Sequence, residues 1–352
     1  MKYLLASLAL LSLACGGAAH PRRAANPNNE IPRPAKTPVK FGALPPLPDE
    51  GPLAERPTRM LKALQAKGYA AVLQKDKSVL VTTEKFGVVV PTSTAHLCQF
   101  DLPFLSAKGI TDETSLVARI TAPTESNPGI NFTVLPEGSR FRVTARFAVV
   151  VQKETECAEL AAVMISDLLR LVDQFEDVYG VPAFPGGSSH PDQRTGETTI
   201  HLSGINARVR AHLKDNTQGY RDYYHAMLDS EGTAPTVDRE GHLLVSYNQL
   251  SPLYLLVPEK ISFPDAFILV FQGNEPAAEV SVPMTQAACM DAMASNVFIR
   301  CTTTVESGRT FLRISSTALF SGSSDPRYNF RNGANAVRHA SVQVSNYLHS
   351  HR

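Results

Sequence analysis

The sequence predicts an α+β protein made of two tandem copies of one unit, each an antiparallel sheet flanked by helices. Three observations lead there. First, the chain aligns with itself. "LKALQAKGYAAVLQKDKSVLVTT" from Leu61 lies without a gap on "HAMLDSEGTAPTVDREGHLLVSY" from His225, a shift of 164 residues. That shift sets Leu64 on Leu228, Gly68 on Gly232 and Val79-Leu80-Val81 on Leu243-Leu244-Val245. It grows to 167 where "VVVP" ending at Pro91 meets "LLVP" ending at Pro258, and to 171 where Phe141 and Val143 meet Leu312 and Ile314. Small loop insertions in a degenerate duplication produce such steps. Second, "FRVTARF" alternates Phe141, Val143, Ala145 and Phe147 with Arg142, Thr144 and Arg146, the period of a half-buried strand. Third, Leu160, Met164, Leu168, Leu171, Phe175 and Val178 recur at helical spacing and form one apolar stripe.

The elements of the first copy follow in order. A helix runs from a Thr58 cap to Gly68, which is placed for a left-handed residue after the last turn. Strands are expected over 79–83, 87–91 and 96–102, a middle helix over 111–120, and strands over 130–135 and 141–150. A final helix begins near Glu156 and ends at Gly180. The second copy closes with a helix carrying Phe330, Ala334, Val337, Val344 and Leu348. The expected domains are 58–180 and 204–352, joined by a linker at 181–203 whose Pro, Gly and Ser mark it as loop. "INARVRAHLKD" at 205–215 reads as an extra helix leading into the second copy.

Ahead of the first copy, ten of the 25 prolines fall within 16–57. Proline fixes φ and removes a donor, so residues 15–57 are expected to be an extended, mobile tether. The chain itself opens with Lys2, a leucine-rich run over 4–13 and then small residues, the form of a signal peptide. Leu11-Ser12-Leu13-Ala14-Cys15 resembles the lipobox of bacterial lipoproteins. The resemblance implies removal of 1–14 and acylation of Cys15, with palmitate among the chains, and Gly16 after it favours the outer membrane. The alternative is an ordinary secretory signal cut after Ala19. Both readings take the protein out of the cytoplasm, to the cell envelope facing the periplasm or exterior in one case and into secretion in the other.

A helix end of the form L-x-x-x-G-Y at Leu64 to Tyr69, a meander of short strands, a middle helix and the "EGSRFRV" hairpin strand at 137–143 together resemble YbjN-type domains. These are built on the fold of type III secretion chaperones. The resemblance covers 58–180 and, more weakly, 217–350. It implies binding or regulation and carries over no catalytic residue.

The residues themselves name no chemistry. The chain carries 34 Lys and Arg against 33 Asp and Glu, with no basic run, so it has no electrostatic footprint for nucleic acid. "GGSSH" at 186–190 and "FSGSSD" at 320–325 lack the Gly-x-Ser-x-Gly spacing of a strained nucleophile turn. Among the ten histidines, His96 with Cys98 and His349 with His351 are the close sets, and neither shows the three or four converging ligands that zinc requires. No metal, cofactor or catalytic residue is expected, and the sequon Asn131-Phe132-Thr133 reads as strand. Besides Cys15 the cysteines are Cys98, Cys157, Cys289 and Cys301. Outside the cytoplasm these four allow three pairings, or remain four buried thiols. Cys98–Cys157 with Cys289–Cys301 is the pairing that keeps each bridge within one copy.

The function expected is therefore non-enzymatic: an acyl-anchored envelope protein that binds a peptide, protein or envelope component through its sheet surfaces, as a monomer acting as its own pair of subunits. The alternatives are an enzyme with His201, Asp222 and His225 meeting between the copies, or a purely structural envelope protein. The anchor is directly testable. The mature N-terminus should be an acylated Cys15 by mass spectrometry, and Cys15→Ala should release the protein from membranes, whereas a mature chain starting at His20 would exclude lipidation.

Overall fold

A computed structural model describes residues 41–125, 130–175, 177–184, 217–238, 242–246, 253–256, 266–272, 281–306, 309–319 and 325–351. Residues 1–40, with Cys15 and the signal segment, and 201–216, with His201 and the extra helix at 205–215, lie outside these.

The N-terminal half begins, after a single 3-10 turn at Leu53–Glu55, with helix α1 (Arg56–Ala66). Its first turn contains Pro57, whose missing N–H costs nothing where no helical partner exists. The helix therefore starts before Thr58, which lies inside it and caps nothing. Its end is as the sequence suggests. Gly68 sits at φ +88° with its N–H on the Gln65 carbonyl, 2.9 Å away, and the Tyr69 N–H returns to the Leu64 carbonyl at 3.2 Å. This is the paired C-terminal closure that satisfies two orphan carbonyls. Helix α4 (Thr217–Ser230) in the C-terminal half ends in the same way, with Gly232 at φ +72°, its N–H on Asp229 and the Thr233 N–H on Leu228.

From α1 the chain runs through β1 (Ala71–Leu73), β2 (Val79–Thr82), β3 (Gly87–Val90), β4 (Leu97–Ser106), α2 (Glu113–Glu125), β5 (Ile130–Glu137), β6 (Arg140–Val150), α3 (Glu154–Asp173) and β7 (Tyr179–Pro182). From α4 it runs through β8 (Thr236–Val237), β9 (Leu243–Val245), β10 (Leu253–Leu256), β11 (Ala266–Gln272), α5 (Val282–Ser295), β12 (Ile299–Glu306), β13 (Arg309–Leu319) and α6 (Pro326–Ser350). The first sheet has the order β1-β2-β3-β4-β6-β5 and the second β8-β9-β10-β11-β13-β12, antiparallel throughout. Strand for strand, the second path follows the first. The residues that align in sequence lie on matching strands: Val79–Val81 on β2 with Leu243–Val245 on β9, and Phe141 and Val143 on β6 with Leu312 and Ile314 on β13.

Helices α1 and α3 pack on one face of the first sheet, and α6 lies across β11, β12 and β13 of the second. Val143, Ala145 and Phe147 of β6 are buried beneath them, as are Leu160, Met164, Leu168 and Leu171 of α3. Two bridges tie helix to sheet: Cys98 on β4 to Cys157 on α3, and Cys289 on α5 to Cys301 on β12. Buried side chains of both halves form one continuous apolar cluster. No helix among the described residues is long and apolar enough to cross a membrane.

Two further departures from the expected boundaries lie at the ends of the first half. Helix α3 stops at Asp173, with Phe175 and Val178 buried beyond it, and Gly180 is a strand residue in β7. The apolar stripe continues past the helix because the chain folds back to pair β7 with the far end of β4. A Cβ on Gly180 would stand 2.4 Å from the Ser106 carbonyl oxygen and 2.8 Å from that of Leu105, so glycine is required by the closeness of two backbones. The first half thus continues to Phe184, whose carbonyl accepts from Gly87 N at 2.8 Å, and the linker starts later than residue 181.

The second departure concerns 41–57, which are packed and not a free tether. Phe41 lies 5.3 Å from the Tyr223 ring and under the Arg327 guanidinium, which donates to the Gly42 carbonyl at 2.7 Å. Further along, Glu50 accepts from His96 N at 2.9 Å and stands 3.6 Å from the fully buried Arg56. The aromatic and charged residues set between these prolines find partners on both halves.

Gly180→Ala should lower stability by about 1–3 kcal/mol, the range for forcing a methyl into a filled site, read as a shift of the urea midpoint. Gly42→Ala, which has open space around it, should leave that midpoint unchanged.

Candidate binding surfaces at the sheet edges and the seam

The two sheets treat their edges unequally. The long edge strand β5 is covered by α5 and β12 of the C-terminal half, while α6 reaches the end of β6. Three polar contacts stitch this seam. The Asn131 amide donates to the Val297 carbonyl, Arg300 Nη2 donates to the Thr121 carbonyl at 3.3 Å, and Val150 N donates to Asn329 Oδ1 at 3.2 Å. A cavity of about 220 Å³ opens along it between Val117 and Ala118 of α2, Gln286, Met290 and Met293 of α5, and Thr302 of β12. The Cys289–Cys301 bridge forms part of its wall.

Among the described residues no further strand pairs with the short outer edges. In β1, Ala70 and Gln74 bond across to Thr82 and Ser78, so alternation turns the backbones of Ala71 and Leu73 outward. Gln65 Nε2 covers the Ala71 carbonyl at 3.0 Å. Val72 and Leu73 flank the edge on opposite faces and are 52% and 46% exposed. Val237 on β8, the matching edge of the second sheet, is 55% exposed.

On the face of the first sheet opposite its helices, β4 and β6 bring together a polar set. Asp101 and Arg146 are cross-strand partners, and Asn131 on β5 is the next neighbour of Arg146. Gln99 Nε2 donates to both Asp101 carboxylate oxygens, at 2.8 and 2.9 Å, and Arg146 Nε stands 3.6 Å away. Burial nonetheless dominates, pushing the Asp101 carboxyl up to about 6 against the pull of Arg146 and Gln99. Asp167 on α3 is likewise pushed up to about 6 by burial, against Arg170. Alternation in "CQFDLPF" already separates Gln99 and Asp101 from the buried Cys98, Phe100, Leu102 and Phe104. The placing of Asn131 and Arg146 beside them depends on strand order.

Two of the three residues considered for a site between the copies, Asp222 and His225, share one helix. Asp222 is exposed on α4, and His225 pairs along the same helix with Asp229 at 3.0 Å; His201 lies outside the described residues. Cys98 is in a bridge, so the His96-Leu97-Cys98 set offers no thiol. His349 turns back on the Ser345 carbonyl, and the His351 ring stacks on Tyr347. Among the described residues no group of three or more His, Cys, Asp or Glu could hold a metal ion.

No protein-family model and no curated protein matches the chain. Among solved structures, that of YbjN from E. coli resembles it, with 14% identity over 36% of this chain and 87% of the YbjN chain, at a TM-score of 0.27.

The two raised carboxyls give stability a pH dependence. Near pH 3 folded and unfolded states both hold these protons. Between about 4 and 6 the unfolded chain has released them while the folded protein retains them, so stability falls as pH rises and the contribution is lost above about 6. The melting temperature should be higher at pH 5 than at pH 7.5. Asp101→Asn should flatten much of that difference and stabilise the protein at pH 7.5 by about 2–3 kcal/mol, leaving the part that belongs to Asp167.

Proposed function

We propose that this protein is a non-enzymatic binding protein of the cell envelope, held to the membrane by acylated Cys15, whose open sheet edges capture an extended peptide segment of a partner. The observation that carries the reading is the contrast between edges. The long edge β5 is covered within the chain, while among the described residues β1 has outward backbone groups with no further strand on them and apolar side chains on both faces. Unpaired strand edges are the surfaces to which extended peptides add, main-chain bonds giving affinity and flanking side chains giving selectivity. The anchor rests on the lipobox resemblance of Leu11 to Cys15.

The same reading takes the two halves as a tandem duplication of a YbjN-like, chaperone-type unit. Matching strand order, matching glycine closures at Gly68 and Gly232 and the self-alignment support it. Joining two copies in one chain makes their association intramolecular, at an effective concentration of about millimolar, so the protein acts as a monomeric pair.

Leu73→Pro provides the test. It removes an outward N–H and places a ring on the open side while sparing the bonds of Ala70 and Gln74 to β2 and the following turn. On an array of 15-residue peptides tiled from envelope proteins, it should weaken binding at least about tenfold, a loss of some 1.4 kcal/mol, with an unchanged melting temperature. Equal binding by the two proteins, or no peptide bound by either, would refute the reading.

A further inference from the structure

The two disulfides sit in different surroundings. Cys98 and Cys157 are both 0% exposed and belong to the apolar core beneath α3, with Met164 Sδ 3.9 Å from the Cys98 sulfur. Cys289 and Cys301 are 3% and 2% exposed, yet both line the seam cavity, whose volume of about 220 Å³ admits a small molecule. They are separated by 12 residues, against 59 for the other pair. A shorter closed loop restrains the unfolded chain less, so less of the fold's stability depends on this bridge.

We propose that Cys289–Cys301 is a thiol–disulfide exchange site, and that its substrate class is a small thiol, or the cysteine of a slender peptide, entering the seam cavity. The entering thiolate attacks one of the two sulfurs in line with the S–S bond. A new disulfide forms between the entering sulfur and the attacked cysteine, and the other cysteine leaves as a thiolate that takes a proton from water. A second thiol then attacks the mixed disulfide. It releases the small molecule as its own disulfide and leaves Cys289 and Cys301 as thiols, two electrons having passed from two thiols to the bridge. Met290 and Met293 on the cavity wall suit such a substrate, since thioethers are polarisable and adaptable in shape. Exchange has a structural consequence, because the bridge ties α5 to β12 and both cover β5. Next to Cys301, Arg300 holds the Thr121 carbonyl across the seam. Opening the bridge releases α5 from β12 at the place where the two halves meet.

The test is timed reduction of the full-length native protein by 2-mercaptoethanol, with alkylation and peptide mapping at each time. Cys289 and Cys301 should become alkylated at least about tenfold faster than Cys98 and Cys157, as exchange follows access. Ala118→Trp separates entry through the cavity from local unfolding, because Ala118 is an exposed residue at its rim and the variant's fold can be verified by circular dichroism. In this variant the exchange at Cys289–Cys301 should slow about tenfold. Equal rates at the two bridges would overturn the proposal. So would a fast Cys289–Cys301 exchange that Ala118→Trp leaves unchanged.

Discussion

An antiparallel sheet leaves a row of unpaired N–H and C=O groups at each end, and the arrangement of this molecule follows from how those rows are handled. Strand order puts a long, largely buried strand at one end of the first sheet and a strand of three residues at the other. A long apolar edge left bare would invite any other chain to pair with it. Here β5 is covered by α5 and β12, and one apolar cluster runs through both halves as a result. The short edge needs less protection: Gln65 satisfies one carbonyl, and among the described residues no further strand pairs with the rest.

The segment before α1 depends on a different interaction. Arg56 is fully buried, which pulls its pKa below the ordinary arginine value, while Glu50 and Glu154 pull it back up. Its Nη2 donates to the Leu97 carbonyl at 2.6 Å, and Arg59 completes the set by binding Glu154 at 2.9 Å. Charges taken out of water are tolerated only when each is answered by an opposite charge or a hydrogen bond. Glu50 belongs to the proline-rich segment and Glu154 to the first turn of α3, where the helix dipole also favours a carboxylate. One guanidinium therefore fixes the entering chain, α1 and α3 relative to β4.

Much of this was legible in the sequence wherever a local rule decides the outcome. Gly68 is in the left-handed region because only such a residue closes the helix with two return bonds. The alternation through Phe141 to Phe147 reads directly as a strand with one buried face. Gly180 was misleading because a glycine after an apolar stripe looks like a helix end, and its real cause, the carbonyls of Leu105 and Ser106, is distant in sequence. Strand β1 leaves no mark in the sequence, because three residues are too few to show a period. The polar set around Asp101 was half visible, since Gln99 and Asp101 share a face of their own strand. Arg146 and Asn131 join them only through pairing across β6 and β5, which no local pattern specifies.

The order in which the proline-rich segment meets the fold has a mechanical consequence. Among the described residues, counted from the N-terminal side, the chain touches Arg327 and Tyr223 through Phe41 and Gly42, then His96 and Arg56 through Glu50, and then enters α1. Tension applied from that side is borne in series, one attachment at a time, in the manner of a peeled strip. Of these two attachments the contact with Arg327 yields before the Arg56 cluster. A pull strong enough to undo the first attachment thus lengthens the molecule and separates the strip from the C-terminal half before either sheet carries any load.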